Sequence, residues 1–387
     1  MTQVNFNLDL EEMTEELLDS NLNNVLKAKM IMILNEYMEE ERDSFVNANP
    51  KQKTSKRQSV RNGYYERELI MPVGKINLRV PRTRDGEFST EVFERYSRMD
   101  QALVLMMMEA VIGGVSTRKV SRLVEAIAGK KVSKSFVSNI MKRLDPMIRE
   151  WSQRTLTTHT YKYLYVDAMY IKVRENNKVV SKAVYIAQAV NELDKRELVG
   201  FKVSEKESHK AWSEFFEDLR ARGFSNPKLI ISDAHKGLRS AISEEFLNVP
   251  WQRCTVHFLR NIVTNMPKKD SYHARRLLRG IFKAPTIQHA KELKEAFLTE
   301  VEGNSKYDNA VSILEEGFDD ATQFYRFPEA HHVHIRTTNS IENINMQIRR
   351  REKVIRIFPN DQSAFRLVGA VLLDLSDELD INKTFLR

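Results

Sequence analysis

Tyr163-Leu-Tyr-Val-Asp-Ala-Met-Tyr-Ile-Lys-Val-Arg174 reads as one strand, apolar or aromatic for most of its length, with the carboxylate of Asp167 set in its middle. Strands seldom place an aspartate among β-branched and aromatic neighbours. A buried carboxylate is costly unless it is paired, hydrogen-bonded or bound to a cation. The stretch therefore predicts a sheet, and it predicts that the sheet holds charge for a reason.

Working outward, the turn Glu175-Asn-Asn-Lys178 leads into a second strand, Val179–Val190. After Asn191-Glu-Leu-Asp-Lys195 comes a third, Arg196–Ser204. A helix over roughly Ser208–Arg222 follows, then a short buried strand, Lys228–Ser232, that ends at Asp233, and a helix over Lys236–Phe246. Three antiparallel strands, then helix, strand and helix, is by analogy the element order of a ribonuclease-H-like fold. Asp233 sits at the carboxyl end of its strand, the edge where open α/β sheets place ligands. Alone, such an aspartate serves as a cap or ion-pair partner at least as often. Two on neighbouring strands point to a cation site, and hard oxygen ligands select Mg2+ or Mn2+ over zinc.

A third carboxylate is expected from Arg336-Thr-Thr-Asn-Ser-Ile-Glu-Asn-Ile-Asn-Met-Gln-Ile-Arg-Arg-Arg351. Asn339 or Ser340 would cap a helix whose Ile341, Ile344 and Ile348 face inward. Glu342, Asn345 and Arg349 then share a polar face. Arg336, Arg350, Arg351 and Lys353 suit a phosphate backbone, although a solvated helix face explains such charges equally well.

Upstream, residues 10–45 read as a helix with a mostly apolar stripe of Leu22, Val25, Leu26, Lys29, Ile33, Leu34, Tyr37 and Met38. It would pack on a second helix, on a second copy of the chain or on its own body. Residues 47–62 carry Lys51, Lys53, Lys56, Arg57 and Arg61 without an acid, an extended basic arm able to track phosphates. A hairpin is expected around Pro72-Val73-Gly74. Three helices follow: one through Leu103–Ile112, one capped by Ser116, and one capped by Ser133 that runs to Leu144. The last two have helix-turn-helix spacing. Phe136, Ile140 and Leu144 would form the buried face of the third. Arg118, Lys119, Lys134, Ser135, Asn139 and Lys142 would meet DNA.

The bulk numbers agree with such a partner. Of 387 residues, 42% are hydrophobic and 29% charged, ordinary for a soluble globular chain. The formal charge is +8, but residues 1–46 hold −8 and the remainder +16. A basic body attracts a polyanion. One cysteine, Cys254, excludes an internal disulfide and fits a reducing compartment. With no signal segment and no long apolar run, a cytoplasmic, nucleoid-associated protein is expected.

As an ordered set, Gly63-Tyr-Tyr-Glu-Arg67, Val92-Phe-Glu-Arg-Tyr96, Gly114-Val-Ser-Thr-Arg-Lys-Val-Ser121, Val166-Asp-Ala-Met-Tyr-Ile-Lys-Val-Arg174, Ile231-Ser-Asp-Ala-His-Lys-Gly-Leu238, Trp251-Gln-Arg-Cys-Thr-Val-His-Phe258 and Arg336-Thr-Thr-Asn-Ser-Ile-Glu342 resemble the prokaryotic Mutator-type insertion-sequence transposases, over about residues 60–375. The resemblance implies a DDE transposase with the triad Asp167, Asp233 and Glu342, two Mg2+ (or Mn2+) ions per site, double-stranded DNA ends and target as partners, and a homodimer. Zinc is not expected, because a structural site wants four N/S ligands and no second cysteine exists. His257 would orient the site or contact DNA, Cys254 would fill the core, and His235 and Asn339 would support the site. His331, His332 and His334 are expected to be structural or DNA-facing. The expected architecture is multidomain α/β. It comprises a helical dimerisation region (1–46), basic linker (47–62), β-hairpin region (63–98), helix-turn-helix domain (99–157), ribonuclease-H-like core (158–264), α-helical insertion (265–330) and second core part (331–387). The competing readings are a catalytically silent DNA-binding regulator derived from a transposase and a ribonuclease-H-like structure-specific nuclease that cuts without joining.

Overall fold

The computed structural model describes residues 22–48, 52, 54–55, 57–71, 74–128, 132–269, 271–381 and 384–386. Its contacts divide the chain into two units, 1–141 and 142–387.

In the first unit, helix α1 (Leu22–Val46) lies on the antiparallel hairpin of β1 (Arg61–Met71) and β2 (Gly74–Thr83). Met30, Ile31, Leu34, Tyr37 and Met38 pack on Leu69, Ile76, Leu78 and Val80. The stripe of α1 is thus used by its own chain; residues 10–21 of the expected helix lie outside the described residues. Helices α2 (Glu91–Ile112), α3 (Thr117–Ala128) and α4 (Lys134–Met141) pack on one another. Helix α2 starts twelve residues earlier than the apolar pattern suggested, because Thr90 Oγ1 accepts from Val92 N at 3.2 Å and opens it there. Ser116 and Ser133 cap α3 and α4 as expected, accepting from Lys119 N (3.4 Å) and Phe136 N (3.0 Å). The buried face of α4 differs from the expected one: Val137, Ile140 and Met141 are buried while Phe136 is 44% exposed. Burial at i, i+3 and i+4 follows the 3.6-residue period, and the chain leaves the α-helix at Lys142 for a 3-10 turn.

The second unit is built on a mixed five-stranded sheet. Its strands are β3 (Tyr161–Glu175), β4 (Lys178–Asn191), β5 (Arg196–Ser204), β6 (Leu229–Ser232) and β7 (Trp251–Arg253), in the order β5-β4-β3-β6-β7. The first three are antiparallel, and β6 and β7 run parallel to β3. Asn176 and Asn177 take positive φ (46° and 62°) in the tight turn between β3 and β4, a conformation asparagine tolerates. Helices α6 (His209–Ala221) and α7 (Lys236–Glu245) cover one face, packing Trp212, Phe215, Phe216, Leu238 and Ile242 on Leu164, Val166, Tyr185 and Ala187. Helices α13 (Asn339–Ile355) and α14 (Asp361–Ile381) lie on the other face, and α5 (Asp145–Ser152) is clamped to α14 by Arg366 and Asp145. Between β7 and α13, helices α8 (Thr255–Thr264), α9 (Tyr272–Ile281), α10 (Ile287–Val301), α11 (Asp308–Ala321) and α12 (Glu329–Ile335) form an excursion. Its first four helices share a core of their own, centred on Phe258, Leu278, Phe297, Leu314 and Phe318. No helix among the described residues is long and apolar enough to cross a membrane.

Candidate active site

Alternation along β3 sets the site. Leu164 and Val166 point into the core under α6 and α7, so Tyr163, Tyr165 and Asp167 face the other way. On that side Tyr163 Oη meets His331 Nδ1 at 2.7 Å and Tyr165 Oη donates to His334 O at 3.3 Å. His332 Nε2 lies 2.8 Å from Phe327 O and stacks edge-on against Phe324 and Tyr325. All three histidines thus make packing or hydrogen-bond contacts around α12.

Parallel pairing of Tyr165 with Ile231 carries Asp167, two residues further along β3, level with Asp233, the residue just past the end of β6. Asp167 Oδ1 accepts from Ala168 N at 2.9 Å and Asp167 Oδ2 from Asn345 Nδ2 at 2.6 Å. Burial, with the like charge of Asp233 second, pushes Asp167 up to about 7. Asp233 Oδ1 accepts from His235 N at 3.2 Å. His235 itself precedes α7, with Nδ1 3.1 Å from Glu207 Oε1. Glu207 also accepts from Trp212 Nε1 (3.1 Å), and its burial raises its pKa. The sequence gives no cue to Glu207, which looks like an ordinary residue ahead of a Ser-capped helix.

Helix α13 brings Glu342 and Asn345 over this edge. Thr338, rather than Asn339 or Ser340, precedes its first turn, and no side chain caps it. Each hydroxyl is engaged elsewhere. Thr338 Oγ1 reaches Cys254 Sγ (3.2 Å) and Glu342 Oε1 (3.1 Å), and Ser340 Oγ donates to buried Gln188 Oε1 at 2.5 Å. Asn339 is exposed and already helical. Glu342 Oε1 also lies 3.5 Å from His257 Nε2. Among the described residues, the trio of donors within 4.8 Å of one another is Cys254, His257 and Glu342, not the three carboxylates. Glu342 is turned toward Thr338 and His257. Burial would push the Cys254 thiol up, but the neighbouring His257 and the hydrogen bonds from Thr338 outweigh it and leave the thiol below its ordinary value. The Cys254 sulfur in turn holds His257 up to about 9, with help from Glu342 and Asp167. Arg349 Nη1 donates to Tyr170 O at 3.3 Å, and an open groove of about 320 Å³ runs past Asn339, Glu342, Asn345 and Arg349.

The donor set fits hard divalent cations. Asp167 is a half-buried carboxylate with no ion pair to a basic side chain among the described residues, and Asn345 Oδ1 is buried without a hydrogen bond. Both are the condition a cation or its bound water relieves.

Of the residues expected at DNA, Arg118, Lys119, Lys134, Ser135, Asn139, Lys142, Arg350 and Lys353 are exposed. Lys51, Lys53 and Lys56 lie outside the described residues. Arg57 donates to Ser59 O at 2.9 Å, and Arg61 to Asp43 Oδ1 (3.0 Å) and Ala48 O (2.8 Å). Arg336 donates to Phe282 O at 3.1 Å, and Arg351 to Gln347 Oε1 at 2.6 Å.

The family model "Transposase, Mutator family" matches residues 1–381. The chain is 48% identical over 378 residues to the transposase for insertion sequence element IS256 in transposon Tn4001 of Staphylococcus aureus, covering 98% of this chain and 97% of that one. It is 39% identical to the ISRM5 transposase of Rhizobium meliloti (88% and 85% covered) and 32% identical to the IS1081 transposase of Mycobacterium tuberculosis (96% and 89%). A match spanning the first unit, the sheet and the carboxylate helix alike shows that this chain belongs to the Mutator family of transposases.

Proposed function

We propose that the chain binds the terminal inverted repeats of an insertion sequence and cuts and joins DNA with Asp167, Asp233 and Glu342 as a DDE triad. The observation that carries this reading is the parallel register that levels Asp167 with Asp233 beneath the helix of Glu342. The strand order, with an antiparallel trio flanked by two parallel strands, supports a ribonuclease-H-like core interrupted by the helical excursion. The Ser-capped pair α3 and α4 supports a helix-turn-helix, and the need to hold two ends supports a homodimer.

Asp167, Asp233 and Glu342 would hold two Mg2+ or Mn2+ ions. When bound, the ions supply the Lewis acidity that activates an attacking oxygen and stabilises a leaving one. Asn345 orients Asp167, and Arg349, exposed along the groove, clamps a phosphate of the bound strand. In the first step water displaces one strand at the element's end and frees a 3′-hydroxyl. In the second, that hydroxyl attacks a target phosphodiester, so one P–O bond forms as another breaks and no external energy source is needed.

Purified protein incubated with labelled element-end DNA and Mg2+ or Mn2+ should nick the ends and yield joined products on a denaturing gel. Asp167→Ala, Asp233→Ala and Glu342→Ala should each abolish both steps while end binding survives. Strand transfer by metal-supplied Asp167→Ala protein would overturn the triad. Binding without cleavage by the intact chain would favour the regulator reading.

A further inference from the structure

Cys254 immediately precedes α8, His257 lies in the first turn of that helix, and Glu342 in the first turn of α13. Their donor atoms lie within 4.8 Å of one another. Thiolate, imidazole and carboxylate make a donor set suited to zinc and poorly suited to Mg2+. Tetrahedral zinc at ordinary bond lengths separates such donors by roughly 3.4–3.6 Å. His257 Nε2 and Glu342 Oε1 are already 3.5 Å apart. Cys254 Sγ accepts from Thr338 N at 3.4 Å and from Thr338 Oγ1 at 3.2 Å, the kind of outer support that steadies a metal-bound thiolate. Cys254 is buried, whereas the side chains of His257 and Glu342 are 33% and 38% exposed, so a cation has a way in from solvent. Three protein ligands leave the fourth position to water, the arrangement of an exchangeable rather than a structural zinc.

We infer that Cys254, His257 and Glu342 form a second, soft-cation site, and that Zn2+ bound there switches the transposase off by withdrawing Glu342 from Asp167 and Asp233. This rests on the proposed role of Glu342, the ligand both sites share. Binding displaces the Cys254 thiol proton to solvent and changes no oxidation state.

The test uses the full chain, stripped of metal and titrated with Co2+ as a zinc-like probe without DNA. One equivalent of Co2+ should give a thiolate-to-cobalt charge-transfer band in the near ultraviolet. Zn2+ should displace it and excess Mg2+ should not. Cys254→Ser should lose the band. His257→Ala and Glu342→Gln should keep it with affinity at least ~10-fold weaker, so the inference does not depend on one variant folding. Zn2+ should also suppress Mg2+-supported end cleavage, with chelation restoring it. A folded wild-type chain without the band, a band persisting in Cys254→Ser, or Zn2+ binding with undiminished cleavage would each overturn the inference. The cobalt spectrum requires no activity, so a chain that shows it yet never cleaves with Mg2+ indicts the triad and not the zinc-type site.

Discussion

Asn345 donates its amide Nδ2–H to Asp167 Oδ2 at 2.6 Å, joining the carboxylate helix to the central strand across 178 residues of sequence. The bond is what relates the two acids, because Asn345 lies one turn beyond Glu342 on the same helix face. Asn345→Leu keeps the volume and removes the donor. It should lower end cleavage about 10–100-fold at limiting Mg2+, as loss of a ligand-orienting partner does, with part of the loss recovered at high Mg2+. An unchanged Mg2+ titration would show that the bond is incidental.

Asp167 gives the metal-free protein a pH-dependent weakness. Its pKa is about 7 in the folded chain against an ordinary value of 3.8. Between those values the folded state keeps a proton that the unfolded state has released, so this contribution is complete below 3.8 and is lost as pH rises through about 7. Asp167→Asn carries no such charge. It should exceed wild type in stability at pH 8 without metal, by on the order of 1–4 kcal/mol, and converge with it toward pH 4. Thermal melts of both proteins across that range read this directly; parallel curves would count against it.

Gly317 in α11 has no room for a side chain. A Cβ there would sit 2.5 Å from Arg253 Nη1 and 2.6 Å from the Phe258 ring, and Arg253 is itself stacked over Phe258 at 4.2 Å. Gly317→Ala should cost about 1–3 kcal/mol in urea unfolding despite alanine's better helix propensity. A stabilised variant would mean that the ring and the guanidinium yield freely.

On the exposed side of α4, Lys134 and Asn139 separate two kinds of contact. Lys134→Ala should weaken binding to all sequences alike and reduce the salt slope of log K by about 1. Asn139→Ala should cost about 1–3 kcal/mol on element ends and little on unrelated DNA. Binding isotherms at several salt concentrations distinguish them, and equal losses on both DNAs for Asn139→Ala would remove it from base reading.

The strands of the sheet and the capped helices of both units were legible because period-2 apolarity and Ser caps are local signals: Arg196–Ser204 is the third strand as read, and Ser116, Ser133 and Ser208 each accept from a first-turn amide. β7 was not, because three residues carry no period and Trp251–Arg253 become a strand only by pairing with β6. The face of α4 is ambiguous in sequence because eight residues allow two plausible stripes, and only its neighbours select Val137 over Phe136. Within the site, the two aspartates and the polar face of α13 could be named from composition. The turn of Glu342 toward Thr338 and His257, and the burial of Glu207, depend on elements distant in sequence.

Thr255 N donates to Arg336 O at 3.0 Å, and Gln252 binds both Ala321 O (2.9 Å) and Phe324 N (2.8 Å), so the helical excursion departs from the sheet and rejoins it at one seam. The two ends of the excursion therefore meet, and the contacts of α12 with Tyr163 and Tyr165 and the Arg239–Asp320 ion pair hold its near side to the sheet layer. Its far side is free of those ties, so a sensor or tether grafted there would ride on the transposase and leave the edge of Asp167, Asp233 and Glu342 as it stands.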